Sequence, residues 1–205
     1  MNRLSSQPTL PLTAFILAGG RSRRMGTDKA LQAYLNSPLI QYAIRVGQSI
    51  SADVRIIGEP GRYASLGLPV IPDIGESLGP LSGIYTALQH SPTLFSAVMA
   101  CDMPLMSPSF FQLMIGRLPG PDAVAMRFSD GAVEPLCSIY SSTCLAFASQ
   151  NLANRKLKIA DLLSQVAVEY ISEDELHRHG LTREIFTNVN TPEDLNLLAS
   201  YITEA

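Results

Sequence analysis

Residues 13–29 read TAFILAGGRSRRMGTDK. A short apolar segment that predicts a β-strand leads directly into a loop rich in glycine and arginine. Glycines let a backbone approach an anion closely with its N–H groups pointing outward. The cationic side chains of the loop supply positive charge where a polyphosphate would lie: Arg21, Arg23, Arg24 and Lys29. The stretch therefore predicts a nucleoside triphosphate site directly after the first strand.

The loop differs from the two commonest glycine-rich phosphate loops. A Walker A loop requires Gly-Lys-Ser/Thr, whereas Gly26 is followed by Thr27 and Asp28. The dinucleotide fingerprint G-x-G-x-x-G does not fit the adjacent pair Gly19-Gly20. A plain strand-to-helix turn with solvated arginines is the alternative. We favour a ligand site because residues 18–29 hold 4 of the 15 Lys and Arg residues of a chain with net charge −3. Such a local cluster indicates a small anionic ligand rather than nucleic acid.

Length and composition predict one large domain. The chain has 205 residues, and 46% of them are hydrophobic, which is enough for a substantial core. We expect a flexible tail over residues 1–12 and a single domain over residues 13–205. No apolar stretch reaches the roughly 18 residues of a membrane span, and residues 1–12 lack the pattern of a signal peptide. We therefore expect a cytoplasmic protein without a membrane partner. Its three cysteines contain no Cys-x-x-Cys and predict neither a disulfide framework nor a zinc site.

Strand-like and helix-like patterns alternate along the chain. The expected helices begin after Ser37-Pro38 with Ser37 as N-cap, at Gly79-Pro80, at Ser107-Pro108, near Leu157 and at Pro192. The expected later strands are residues 54–58, 68–71, 94–101, 123–125, 136–140 and 166–171. The segment 94–101 is apolar without alternation, which is typical of a central strand covered on both faces. We predict a three-layer α/β/α fold, with a mainly parallel sheet and helices on both faces.

Two aspartates follow predicted strands. Asp73 comes after Val70-Ile71-Pro72, and Asp102 comes directly after the apolar segment 94–101. Each alone is also a common turn former or helix cap. In an open parallel sheet, however, ligands bind beyond the carboxyl ends of the strands, where the glycine loop also lies. Mg²⁺ is often held by one or two carboxylates together with water and phosphate, so Asp102 is a candidate metal ligand. This combination indicates phosphoryl or nucleotidyl transfer.

Four motifs resemble those of a known enzyme family. Residues 17–29 are similar to the signature of the nucleotidyltransferases with a Rossmann-like, GT-A-like fold. Residues 79–83 (GPLSG), 101–104 (CDMP) and 188–195 (NVNTPEDL) then resemble, in order and spacing, the molybdenum cofactor guanylyltransferases. The resemblance extends from residue 13 to about residue 200. Cytidylyl- and sugar-nucleotidyltransferases share the first motif, so that motif indicates only the superfamily. The last two motifs narrow the resemblance within the superfamily to the molybdenum cofactor guanylyltransferases.

The resemblance implies a substrate, a metal and an acceptor. GTP would be bound by Lys29 and by the start of the loop, at Leu17, Ala18, Gly19 and Gly20. Asp73 would contact the nucleotide, and Asp102 would bind both the nucleotide and Mg²⁺, or Mn²⁺ in its place. Asn188 and Asn190 would face the pterin of the acceptor, the molybdopterin-bound molybdenum cofactor. The expected catalytic residues are Lys29, Asp102 and Arg21. Molybdoenzyme-maturation proteins are further expected partners, and nucleic acid is not.

Several alternatives stay open at this level. The segment 25–29 is one residue shorter than in some family members, and cytidylyltransferase relatives share this form, so CTP competes with GTP. A non-catalytic nucleotide- or cofactor-binding protein is the alternative of another class, although a pure binder has less need of a metal carboxylate. Three cationic side chains either bind the phosphate of the acceptor or lie in solvent: Arg155, Lys156 and Lys158. Glu134 either lines the acceptor pocket or ends a turn before a strand.

Overall fold

The computed structural model describes residues 10–19, 28–74, 78–191 and 194. The strands are β1 (Leu12–Leu17), β2 (Ala33–Tyr34), β3 (Ser37–Pro38), β4 (Asp53–Ile57), β5 (Val70–Ile71), β6 (Phe95–Ala100), β7 (Ala123–Arg127), β8 (Val133–Ser141) and β9 (Val168–Ser172). The α-helices are α1 (Leu39–Ile50), α2 (Pro60–Tyr63), α3 (Pro80–His90), α4 (Pro108–Ile115), α5 (Cys144–Ala153), α6 (Ile159–Leu163) and α7 (Glu173–Arg178). Short 3₁₀ turns span Lys29–Leu31, Ala64–Leu66 and Arg183–Phe186.

Seven strands form one sheet, in the order β5-β4-β1-β6-β8-β7-β9, and β2 pairs with β3 in a separate hairpin. The strands β5, β4, β1 and β6 run parallel to one another, and β9 runs parallel to β7. Within the described sheet, only β8 runs antiparallel to its neighbours, β6 and β7. The predicted mainly parallel sheet is therefore confirmed, whereas the reversal at β8 was not predicted.

The core lies on both faces of the sheet. All six residues of β6 are buried, as its uniformly apolar sequence predicts, because β1 and β8 flank it and helices cover it. Alternate side chains of β1 point to opposite faces. Ala14 and Ile16 pack with residues of α1 and α4, whereas Phe15 packs with residues of α3, α5 and α6. The predicted three-layer α/β/α arrangement is thus confirmed.

Three predicted helix starts are confirmed, since α1 also begins directly after Ser37-Pro38, but the predicted N-cap of α1 is wrong. Gly79 precedes α3 with φ at 85°, a left-handed conformation that favours glycine, and Pro80 is the first helical residue. Ser107 caps α4 by accepting a hydrogen bond from the Ser109 amide at 3.2 Å. Ser37 does not cap α1. It pairs with Tyr34 in the β2–β3 hairpin, so the residue before α1 is Pro38, which has no side-chain acceptor.

The remaining differences concern the extent of elements. β1 begins at Leu12, inside the expected tail, and residues 1–9 lie outside the described residues. The expected helix from Pro192 also lies outside them, except for Asp194, which is helical. The helices α2, α5 and α7 and the β2–β3 hairpin were not predicted. Among the described helices, none is both long and apolar enough to cross a membrane.

Candidate active site

The parallel strands bring the predicted site residues to one edge of the sheet. β1 lies between β4 and β6, so the chain leaving β1 at Leu17 emerges beside the chain leaving β6. Asp102 follows β6, and Asp73 follows β5. Gly19 is exposed, and a Cβ built on it would meet no atom of the described residues within 4 Å. Gly20 and Arg21 lie outside the described residues, and their predicted contacts stay predictions.

Lys29 joins two parts of this edge. Its Nζ donates to Asp102 Oδ2 at 2.7 Å and to Asn190 Oδ1 at 2.9 Å. The backbone supports the same arrangement, because the Val189 amide donates to the Asp102 carbonyl at 2.9 Å and Val189 itself is fully buried. The segment 188–190 is therefore held beside β6, with Asn188 and Asn190 exposed on either side of a buried residue.

The two oxygens of Asp102 have different surroundings. Oδ2 accepts from Lys29, whereas Oδ1 is buried and has no hydrogen-bond donor among the described residues. A buried carboxylate oxygen without a donor is costly unless a ligand or cation supplies the missing interaction. No cluster of three or more His, Cys, Asp or Glu side chains suited to a metal occurs in the described part of the chain. Mg²⁺ does not require one, because phosphates and water complete its coordination. The residues present therefore fit a Mg²⁺ ion held by Asp102 together with a triphosphate.

Asp73 is anchored to helix α3. Its Oδ1 accepts hydrogen bonds from the hydroxyl groups of Ser82 at 2.6 Å and Thr86 at 2.9 Å. Thr86 also accepts from the Ile74 amide at 3.0 Å, which fixes the chain after β5 against the same helix. Asp73 is half-buried at the sheet edge that carries Asp102, in a defined orientation.

The backbone of Leu17 and Ala18 is hydrogen-bonded within the protein at this edge, and the predicted contacts of these two residues with a nucleotide stay predictions. The side chain of Leu17 packs towards α3, where a Cβ on Gly83 would lie 3.2 Å from both of its Cδ atoms. The Ala18 amide is already bonded to the Ile57 carbonyl at 2.9 Å, and the Leu17 carbonyl accepts from the Cys101 amide at 3.3 Å. The ladder between β4, β1 and β6 thus continues up to the start of the loop.

Glu134 reaches the site because β8 is antiparallel. Met99, near the end of β6, pairs with Cys137, so the preceding residues of β8, Glu134 among them, lie towards the end of β6 that leads into Asp102. Glu134 lies within β8, so the alternative that it ends a turn before the strand is wrong. It lines a cavity of about 420 Å³ together with Phe128, Arg183, Glu184, Phe186 and Thr187. Burial, reinforced by the nearby Asp102 carboxylate, raises the pKa of Glu134, and a hydrogen bond from the Leu136 amide at 2.9 Å partly offsets that rise.

The raised pKa of Glu134 has a consequence for stability. A carboxyl group with a raised pKa in the folded state destabilises the fold when ionised, and this effect grows as pH rises from the unfolded pKa near 4.3 through the folded pKa. Glu134→Gln keeps the acceptor for the Leu136 amide and removes the charge. We expect its melting temperature to exceed that of the wild type at pH 7, with a smaller difference at pH 4. An equal difference at both pH values, measured by thermal unfolding, would contradict this assignment.

The other cationic candidates are not brought into this network. Arg155, Lys156 and Lys158 are exposed between α5 and α6, so the structure leaves both of their interpretations open. The Cys101 thiol stays protonated at neutral pH, because burial and the Asp102 carboxylate raise its pKa to about 12. It is therefore unsuited to act as a nucleophile.

Comparison with known proteins shows the family of this chain. The chain is 38% identical over 187 residues to a probable molybdenum cofactor guanylyltransferase of Pelotomaculum thermopropionicum, covering 91% of each chain. It is 34% identical over 185 residues to a protein of the same description from Flavobacterium johnsoniae, covering 90% of this chain and 95% of the relative. The crystal structure of molybdopterin-guanine dinucleotide biosynthesis protein A from Archaeoglobus fulgidus has the same fold. That comparison has a TM-score of 0.80 and 22% identity, and it covers 94% of this chain and 100% of the other. Residues 14–169 match the MobA-like NTP transferase domain, and the chain therefore belongs to that family.

Proposed function

We propose that this protein transfers GMP from GTP to the molybdopterin-bound molybdenum cofactor, forming the guanine dinucleotide cofactor and releasing pyrophosphate. One observation supports this most directly. Lys29 bridges Asp102 and Asn190, which places a cation, a candidate metal carboxylate and a candidate acceptor contact within one hydrogen-bonded group. A non-catalytic binding protein would not need these three groups together. The family membership and the descriptions of the relatives agree with this proposal.

Asp102 is the proposed link between the nucleotide and Mg²⁺. Its Oδ2 is bonded to Lys29, which leaves the buried Oδ1 for the metal. When bound there, Mg²⁺ would neutralise charge on the phosphate oxygens. Asp73, fixed by Ser82 and Thr86, is the proposed contact to the nucleotide from the other side of β1.

The reaction requires positioning and charge stabilisation. An oxygen of the acceptor phosphate attacks the α-phosphorus of GTP in line, the bond from the α-phosphorus to the bridging oxygen breaks, and pyrophosphate leaves with that oxygen. The acceptor phosphate is already ionised at neutral pH, so no general base is needed. Lys29 would stabilise the charge that develops around the α-phosphate. The predicted role of Arg21 and the other loop arginines is to hold the β- and γ-phosphates.

The acceptor is proposed to lie on the side of Asp102 away from β1. Asn188 and Asn190 are exposed, and Thr187, next to Asn188, lines the 420 Å³ cavity that also contains Glu134. That volume is within the range of small-molecule sites, about 300–1,000 Å³. The aromatic rings of Phe128 and Phe186, 5.4 Å apart, form one apolar side of it.

The choice of base is tested by nucleotide binding. A ligand that binds only the folded protein raises its melting temperature by mass action. In a thermal-shift panel of GTP, CTP, ATP and UTP at equal concentration with Mg²⁺, we expect the largest increase with GTP. The same panel with EDTA in place of Mg²⁺ is the control for the metal. A larger increase with CTP would overturn the guanylyl assignment and favour a molybdenum cofactor cytidylyltransferase.

A further inference from the structure

We infer that Tyr63 is a positioning residue for Lys29, because its hydroxyl group joins the two ends of the glycine-rich loop. The Tyr63 hydroxyl donates its single proton, shared between two acceptors, to the Ala18 carbonyl oxygen at 2.8 Å and to Asp28 Oδ2 at 2.7 Å. Ala18 is the first residue after β1, and Asp28 is the residue before Lys29. This inference rests on the proposed function, since it assigns Tyr63 a role through the lysine placed at the α-phosphate.

The side chain of Tyr63 is held in one place. It is 1% exposed, and its ring lies directly over Gly58, where an added Cβ would be 2.7 Å from ring atom Cε2. The ring is therefore confined on one side by backbone that only glycine leaves open. Burial, together with the hydrogen bond to Asp28, raises the pKa of Tyr63, so the hydroxyl group keeps its proton as a donor.

Asp28 connects Tyr63 to the backbone around Lys29 through its two carboxylate oxygens. While Oδ2 faces Tyr63, Oδ1 accepts from the Ala30 amide at 3.0 Å and so caps the 3₁₀ turn of Lys29–Leu31. The carboxylate thereby fixes the backbone on both sides of Lys29. Arg62, which is 56% exposed, adds only a longer contact of 3.5 Å to Oδ2. Tyr63 and Asp28 together fix the backbone position from which the Lys29 side chain extends to Asp102. Tyr63 is the buried residue of these two.

The test is a double-mutant cycle on kcat for pyrophosphate release, with saturating GTP, Mg²⁺ and molybdenum cofactor. Tyr63→Phe keeps the ring over Gly58 and removes only the hydroxyl group. We expect it to lower kcat about tenfold in the wild type, the scale of a lost hydrogen bond to a charged group. In the Lys29→Ala background we expect less than a twofold loss, because the hydroxyl acts through Lys29. The same factor in both backgrounds would overturn the inference, since a merely structural contact acts independently of Lys29.

Two further variants make the cycle specific. Gly58→Ala should displace the Tyr63 ring without removing its hydroxyl group. We expect it to lower kcat about tenfold when Lys29 is present and less than twofold in the Lys29→Ala background. Tyr140→Phe is the matched control, because Tyr140 is also fully buried and donates to a backbone carbonyl, that of Pro135 at 2.8 Å, on the opposite face of the sheet. Its kcat should stay within twofold of the wild type. If thermal unfolding shows that Tyr63→Phe is not folded, Asp28→Asn and Gly58→Ala take its place in the double-mutant cycle with Lys29→Ala.

A binding measurement separates this inference from the proposed function. If the wild type releases no pyrophosphate, the proposed function fails. The same double-mutant cycle is then carried out on GTP affinity, with the Kd of GTP in the presence of Mg²⁺ measured by isothermal titration calorimetry. We then expect Tyr63→Phe to weaken GTP binding about fivefold, and less than twofold in the Lys29→Ala background. Equal weakening in both backgrounds would overturn the role of Tyr63.

Discussion

Asp102→Asn is expected to lower kcat for pyrophosphate release by roughly a hundredfold or more while the fold stays intact. The side chains are nearly equal in size, and the amide oxygen of asparagine can still accept from Lys29. The negative charge that would hold Mg²⁺ is lost, and with it the stabilisation of transition-state charge. Turnover with GTP and molybdenum cofactor should be measured over a range of Mg²⁺ concentrations. The concentration that gives half the maximal rate should rise.

Asp73→Asn is the matched control for that variant. It makes the same chemical change at the same edge of the sheet, but the Ser82 and Thr86 hydroxyl groups can keep their acceptor. We expect a milder effect, mainly a higher KM for GTP, because Asp73 is proposed to contact the nucleotide rather than the metal. Wild-type turnover in Asp102→Asn would remove Asp102 from the mechanism, whatever the behaviour of Asp73→Asn.

Much of the sheet could be predicted because its signals are local. The uniformly apolar segment 94–101 marks a buried central strand, and Gly79-Pro80 and Ser107-Pro108 mark helix starts. The direction of β8 was missed, although a signal existed. Asp130-Gly131 lies between two strands, and Gly131 has a φ of 84°, so the pair is typical of a hairpin. The expected strands 123–125 and 136–140 are shorter than β7 and β8, and they leave a segment between them that is longer than a hairpin turn.

The part of the site that could be predicted consists of residues that follow the ends of parallel strands. Asp73 and Asp102 were placed at one sheet edge by a general rule for parallel sheets, and the structure places them there. The partners of Lys29 and Asp28 could not be found in the same way. Asn190 is 161 residues from Lys29, and Tyr63 is 35 residues from Asp28. No periodicity or spacing connects such pairs, because the folded chain alone brings them together.

The effect of Lys29→Ala distinguishes an enzyme from a binding protein. A cation that only holds the triphosphate contributes equally to ground state and transition state, so its loss raises KM and leaves kcat unchanged. A cation that stabilises charge formed during transfer lowers kcat when removed. Lys29 lies at the far end of the loop, after three arginines that can serve the β- and γ-phosphates, and its Nζ is 2.7 Å from Asp102. We therefore place it at the α-phosphate.

We accordingly expect Lys29→Ala to lower kcat for pyrophosphate release by roughly ten- to a thousandfold, which corresponds to about 1.4 to 4 kcal/mol of lost charge stabilisation. Arg178→Ala is a charge-matched control, because it removes one exposed cation at the end of α7. Its kcat should equal that of the wild type. A Lys29→Ala variant with normal kcat and only a higher KM would contradict the catalytic role. Absence of release from the wild type, with GTP, Mg²⁺ and molybdenum cofactor present, would instead favour a non-catalytic binding protein, because Lys29 would then have no transition state to stabilise.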